Sequence, residues 1–411
     1  MQKSLWILNQ ILSKIWVNVV AYAGLALLAA VLAQLAGPLV PSGWAVRLPN
    51  DAVYQVLDIL ASSMLAVTTF SLSIAVSAFA TASSAATPRS AEILQSDKTT
   101  QNVLATFLGA FLFSLVGVIG LQANLYDDVG RFVLFLFACF VVLLVVVSLL
   151  RWISHLMTFG RMNDTLDRVE AVAFKALCAR RQNPFLGGQP LEGAIPPTAM
   201  PIHATNVGYV QNIDMAALSA CAKELDARLW IEALPGTFVH RNSIFLYVEG
   251  SRLTEDQTKK ICAAFTCAKT RNFDQDPRFG LIVMSEIASR ALSPAVNDPG
   301  SAIAVIGRLV RILSEWTTHV PQKVNHPGIY VPGLAAKDLI DDAFRPIARD
   351  GAAMVEVQIR LHKALVALTH MCPDTFTKDA YAMSSQAWQR SNQVNMPDVE
   401  LDLIEPFVLA R

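Results

Sequence analysis

Between Leu60 and Ala86 the chain carries no charged residue, and its apolar side chains are interrupted at regular spacing by small and hydroxylated ones. Ser62, Ala66, Thr69, Ser73, Ser77, Ala80 and Ser84 recur every three or four residues. At about 100° per residue they share one stripe of a helix. Leu60, Leu65, Phe70, Leu72, Ile74, Val76 and Phe79 occupy the rest of the circumference. Roughly 20 such residues cross a bilayer core, so the run 53–86 predicts a membrane helix with one small, weakly polar side. That side has two readings. Small residues let helix backbones approach, with hydroxyls bonding across the interface or back to their own carbonyls. Alternatively the hydroxyls of Ser62, Thr69, Ser73, Ser77 and Ser84 face water in a pore formed by several copies of the chain.

The same patterning predicts four α-helical transmembrane spans, at about 15–36, 59–84, 103–121 and 132–150. A short interfacial helix at 4–14 precedes them, with Trp6 and Lys14 as anchors. The first run is too long for a cleaved signal sequence, and more spans follow it. Lys3, Lys14, Arg89, Lys98, Arg151 and Arg161 fall on one side of the spans and Arg47 and Arg131 on the other. This bias puts both termini in the cytoplasm. Asp51, Asp58, Asp127 and Asp128 then lie outside, as solvated loop charges or as an acidic mouth that attracts cations. The pattern from Arg151 to Ala179 is helical and is expected to prolong the fourth span. His155 in it is a proton-sensitive group near neutral pH, or a group that caps carbonyls or meets lipid phosphate.

A proline- and glycine-rich stretch from Asn183 to Pro201 marks a boundary. The expected organisation is a transmembrane domain at 1–150, a cytoplasmic helical extension and linker at 151–201, a small α+β module at 202–270 and a helical domain at 271–411. In the module, 202–210 alternates like a strand, and Asp214 caps a helix. RLWIEA and SIFLYVE read as strands, and Thr254 with Gln257 forms a capping box opening a helix through Thr270. Helices are expected at 277–292, 299–318, 336–343, 351–371 and 374–392. The fold class is a membrane protein with four spans followed by a cytoplasmic α+β and helical domain.

Composition agrees with insertion: of 411 residues 53% are hydrophobic and 16% charged, against about 25% charged in a typical soluble domain. The 33 basic and 33 acidic residues cancel, which gives no basic excess for nucleic acid. Cys139, Cys178, Cys221, Cys262, Cys267 and Cys372 show no metal-ligand spacing. They read as small apolar side chains. No GxSxG, HExxH, phosphate-binding glycine loop or dinucleotide fingerprint is present, and the expectation is a protein without catalytic activity or cofactor.

The stretch 271–302 holds the candidate chemistry. Asp276-Pro277 and Asp298-Pro299 each read as an N-cap followed by proline at the first helical position. Glu286 and Arg290, one turn apart, are placed to pair. The functional readings are a cation held by Asp274, Asp276, Asn297 and Asp298, or an anion held by Arg271, Arg278 and Arg290. The same residues carry a resemblance. Gln275-Asp276-Pro277-Arg278-Phe279-Gly280 and the ALSPAVNDP of 291–299, with GYVQNID at 208–214 and Ser83 to Arg89, resemble the bacterial membrane-protein family catalogued as domain of unknown function 2254. Glu286 stands where that family usually has aspartate, and Gly300-Ser301 where Phe-Thr is common. The resemblance implies a bacterial inner-membrane protein with a cytoplasmic domain.

The leading expectation is a homo-oligomeric ion channel or passive transporter in the inner membrane, its partners being the lipid bilayer, further copies of itself and a small ion or ligand. The alternatives are a membrane-anchored sensor or scaffold that binds a ligand or partner, and a membrane enzyme using Asp274, Asp276 or Glu286.

Overall fold

A computed structural model describes residues 17, 20–25, 28, 31–32, 50–250, 253–316, 323–394 and 396–409. The interfacial helix expected at 4–14 and much of the first crossing, 15–36, lie outside the described residues. Those of 15–36 that are described are helical, and Tyr22 lies against Gly109. The chain divides into two compact units, the first ending at Thr165 and the second beginning at Leu166.

The first unit is a bundle. Helix α1 spans Asn50–Ala85, α2 Pro88–Gln95, α3 Lys98–Gln122 and α4 Asp128–Leu156. Among the described residues three helices are long and apolar enough to cross a membrane: Asp51–Ser84 in α1, Lys98–Gln122 and Asp128–Leu156. α3 packs along α1 and against α4. Leu60, Met64, Ala75, Val103, Phe107, Ala110, Val145 and Trp152 form one core cluster. The outer face of α4 exposes Leu136, Phe140, Leu143, Val146, Leu150 and Ile153, apolar surface that suits lipid.

Local caps set the boundaries. Thr87 and Ser90 form a capping box before α2. Asp97 accepts from Thr100 N (2.7 Å) to open α3, and Asp127 from Gly130 N (2.7 Å) to open α4. Both helices therefore start a turn earlier than apolarity alone suggests. The expected continuation of the fourth span into a single helix through Ala179 is corrected: α4 stops at Leu156. Gly160 takes φ +78, a conformation suited to glycine, and a new helix, α5, runs Met162–Gln182.

The second unit has two sheets and a helical layer. One sheet has the order β1-β8-β4-β6-β2, comprising Gln189–Pro190, Ile329–Val331, Arg228–Ile231, Ile244–Glu249 and Met200–His203. The other has the order β5-β3-β7, comprising Phe238–Val239, Gly208–Ile213 and Phe265–Ala268. Their shared core includes Val210, Ile213, Leu229, Phe245, Phe265 and Ile329, with Leu218 of α6 (Met215–Glu224) and Ile261 of α7 (Glu255–Ala263). Asp214 and Thr254 cap those helices as expected.

Three expectations change here. The strand foreseen at 202–210 is two strands in different sheets. The helix foreseen through Thr270 ends at Ala263, because Phe265–Ala268 pairs antiparallel with β3. Cys262 and Cys267 are therefore not on one helix. Finally, β1 from the expected linker and β8 from the expected helical domain join the α+β sheet, so the boundaries at 201 and 270 do not separate compact pieces.

The helical layer comprises α8 (Pro277–Ala291), α9 (Pro299–Ser314), α10 (Ala336–Asp350), α11 (Val355–Met371), α12 (Pro373–Gln393) and short α13 (Asp398–Ile404). α8 packs on α9 and α10, α9 on α11, and α12 on both α10 and α11. Arg308 and Arg311 of α9 pair with Glu170 of α5, and Arg181 of α5 pairs with Glu315.

Candidate functional site

The face of α1 that packs inside the chain carries Val53, Leu57, Leu60, Met64, Ser71, Ala75 and Ala82. Ser62, Ala66, Thr69, Ser73, Ser77, Ala80 and Ser84 are all exposed on the other side. Packing among the described residues of one copy therefore does not account for the stripe. Ser62 Oγ donates to Asp58 O (2.9 Å), Thr69 Oγ1 to Ala66 O (2.9 Å), Ser73 Oγ to Thr69 O (3.0 Å) and Ser84 Oγ to Thr81 O (2.9 Å). A hydroxyl has one hydrogen and two lone pairs. With the hydrogen spent on the helix's own carbonyl, what remains for a neighbour is oxygen acceptor.

Asp51, Asp58, Asp127 and Asp128 share one end of the bundle, since Val53 and Leu57 lie in one cluster with Leu121, Tyr126 and Leu134. Asp58 is exposed there. Asp127 is occupied as the cap of α4, and Asp128 meets Arg131 at 3.3 Å. At the opposite end His155 Nε2 lies 3.0 Å from Asp97 Oδ2 and the ring lies beside Phe159. The partner that His155 finds is thus the carboxylate capping α3.

In the second unit, Asp276 is 1% exposed. Arg271 grips it with two bonds, Nε to Oδ2 (2.6 Å) and Nη2 to Oδ1 (2.9 Å), and Phe279 N donates to Oδ1 (3.3 Å). Gly236 takes φ +93, and a β-carbon there would collide with the Asp276 carboxylate. Burial pushes the Asp276 carboxyl up, against the lowering pull of Arg271, the Phe279 N–H and Arg278. Arg278 turns instead to α10, with Nε to Asp342 Oδ2 (2.6 Å) and Nη1 to Asp338 Oδ2 (2.8 Å). The loop between Thr270 and Asp276 is tied to β3: Gln211 Nε2 donates to Thr270 O (2.8 Å) and Ile213 N to Gln275 Oε1 (3.0 Å).

The two ligand sets read from the sequence are not assembled. Asp298 caps α9, accepting from Ser301 N (3.0 Å) and Ser301 Oγ (2.6 Å), and Asn297 precedes it at φ 48. Between Asp276 and Asn297 lies the whole of α8, whose 15 residues span about 22 Å at 1.5 Å each. Asp274 and Asp276 are thereby separated from Asn297 and Asp298, and Arg271 and Arg278 from Arg290. Arg290 is exposed at the far end of α8, Glu286 is half-buried and Asp274 exposed. Among the described residues no group of three or more His, Cys, Asp or Glu side chains is arranged to hold a metal ion.

Sequence reasoning missed Arg180. It is 4% exposed, and its Nε and Nη2 are buried with no hydrogen-bond partner among the described residues. Burial lowers it to about 10, and the Asp276 charge acts in the opposite direction. The signal was available in the periodicity: Leu166, Val169, Ala173, Leu177 and Arg180 recur at helical spacing, and all five are buried.

The family profile described as "Predicted membrane protein (DUF2254)" matches residues 12–367. The chain belongs to this family. The match covers the apolar helices, Arg180 and the 271–298 region alike. The chain is also similar to two curated mycobacterial proteins, "Uncharacterized protein Rv1290c" of Mycobacterium tuberculosis and "Uncharacterized protein Mb1321c" of Mycobacterium bovis. Each is 26% identical over 280 residues, 65% of this chain and 52% of the relative. The chain thus spans about half the length of the curated relatives it matches. No solved structure matches it.

Proposed function

We propose that this membrane protein is a homo-oligomeric channel or passive transporter of the bacterial inner membrane, in which copies meet around the hydroxyl stripe of α1. The observation that carries the reading is the exposure of every stripe position, Ser62, Ala66, Thr69, Ser73, Ser77, Ala80 and Ser84, in the single chain. Lipid gains nothing from a small, hydroxylated surface, whereas a neighbouring copy or a water-filled path does. The oxygen acceptors left on that face, together with Asp51, Asp58, Asp127 and Asp128 at one end, favour cations over anions. A first crossing at about 15–36 completes a multi-pass arrangement with both termini in the cytoplasm, supported by the Lys and Arg bias along the chain. The second unit is then cytoplasmic and acts as a regulatory unit, and Asp276, the most buried carboxylate of the alternative enzymatic set, serves as a structural group with both oxygens engaged.

Flux through purified protein in liposomes tests the reading, compared with a Ser73→Leu/Ser77→Leu variant. The expected outcome is cation flux that the variant loses by tenfold or more, while size-exclusion in detergent shows the same assembly. Equal flux in both proteins would remove the stripe from the path. Absence of flux across ions and pH values would favour the second reading, a membrane-anchored sensor, for which the buried Nε and Nη2 of Arg180, without a hydrogen-bond partner among the described residues, speak.

A further inference from the structure

Four arginines of the second unit share one geometry. Arg271, Arg278, Arg311 and Arg349 each direct the Nε and Nη2 edge of the guanidinium at the two oxygens of a carboxylate, on Asp276, Asp342, Glu170 and Asp350 respectively. That edge is a planar fork matched to two-oxygen anions. Arg180 is more deeply buried than any of the four, and its Nε and Nη2 have no hydrogen-bond partner among the described residues.

Buried guanidinium N–H groups left without hydrogen bonds are costly, so the Nε and Nη2 edge calls for an acceptor. The neighbouring carboxylate does not supply one. Asp276 attracts Arg180 through its charge, but its oxygens are taken by the Arg271 fork and the Phe279 N–H. Asp276 thus faces two guanidinium groups, gripping that of Arg271 and acting on that of Arg180 through its charge alone. Next to Arg271 in sequence, Asn272 Nδ2 is also buried with no hydrogen-bond partner among the described residues.

We propose that Arg180 anchors a binding site for a small oxyanion, its Nε and Nη2 edge taking two oxygens of a phosphate or carboxylate group beside the Arg271–Asp276 pair. The pair holds the loop in place and is not itself the ligand contact. The site is independent of the conduction reading, because binding is read on protein in detergent without any flux.

Calorimetric titration of the full-length protein tests it, with inorganic phosphate and acetate in separate arms and chloride at matched ionic strength as reference. The expected result is saturable binding of phosphate or acetate with one site per chain, weakened roughly tenfold or more in Arg180→Lys, which keeps the charge but loses the fork. The arm that responds assigns the group as phosphoryl or carboxylate. Failure of both anions to bind the wild-type protein at millimolar concentration would overturn the proposal, whatever the variant does. Binding that Arg180→Lys and Arg180→Gln leave unchanged would overturn it equally.

Discussion

At Asp276 one carboxylate serves as helix cap and as half of a buried ion pair, whereas Asp298 only caps: it bonds Ser301 twice and is held below the usual carboxylate range by those bonds. Replacing Asp298 by alanine is expected to cost about 1 kcal/mol, the ordinary value of a cap. Asp276→Ala is expected to cost about 3–5 kcal/mol, because it leaves the Arg271 guanidinium uncompensated and takes from Arg180 an attracting charge. Chemical unfolding of both variants in detergent checks the difference; equal losses would mean that the ion pair adds nothing to the cap. His362 makes a pH prediction. It is fully buried, its Nδ1 lies 2.9 Å from Ser384 Oγ, and that oxygen accepts from Leu409 N (3.0 Å). Burial pushes the imidazole down to about 4 from 6.5, so the folded state binds fewer protons than the unfolded one. Its contribution is complete above pH 6.5 and is lost as pH falls towards 4, by about 3 kcal/mol at most. The His362→Gln variant is expected to flatten stability over that window, and an unchanged slope would reject the assignment.

Between elements, the tightest approach bearing on the candidate site is that of α5 to α8. A β-carbon on Gly280 would overlap Cβ and Cα of Ala173, so the two helices meet where neither has side chain to spare. Gly280→Ala gains about 1 kcal/mol of helix propensity, yet the clash with rigid atoms is expected to outweigh it and leave a net loss of about 1–3 kcal/mol. Ala173→Gly in the same chain is expected to recover part of that loss, read as the melting temperatures of the two variants. A gain in stability from Gly280→Ala alone would show that α5 and α8 can shift apart. The same helix pair brings Arg180 of α5 to Asp276 at the start of α8, so packing at Ala173 and Gly280 also holds the proposed anion site in shape.

For the whole molecule, the apolar helices and the mixed second unit divide the work. α1 has 36 residues, about 54 Å of helix at 1.5 Å per residue, longer than a bilayer core of about 30 Å. Its inward face is packed by α3, and its hydroxylated face is left uncovered by the described residues. Loss of flux in Ser73→Leu/Ser77→Leu with intact assembly is therefore a prediction about several copies, to which the fold of one copy contributes the exposed surface.

What the sequence determined by itself is local or repetitive. The apolar runs give α1, α3 and α4 because length and hydropathy suffice for a membrane helix. The caps at Asp214, Thr254, Asp276 and Asp298 are legible because each bonds a backbone N–H three residues on. Tertiary structure alone decided the rest. Phe265–Ala268 is a strand because β3 offers it an edge, and Ile329–Val331 because β4 does. The supposed ligand sets came apart because α8 stands between their halves. Arg180 and Arg181 differ least in the sequence and most in the fold: they are one residue, about 100°, apart on a helix. Arg181 reaches Glu315 (3.0 Å), while Arg180 turns into the core. The periodicity of Leu166, Val169, Ala173 and Leu177 marks the side of α5 on which Arg180 lies, but only the packing decided that its Nε and Nη2 find no hydrogen-bond partner there.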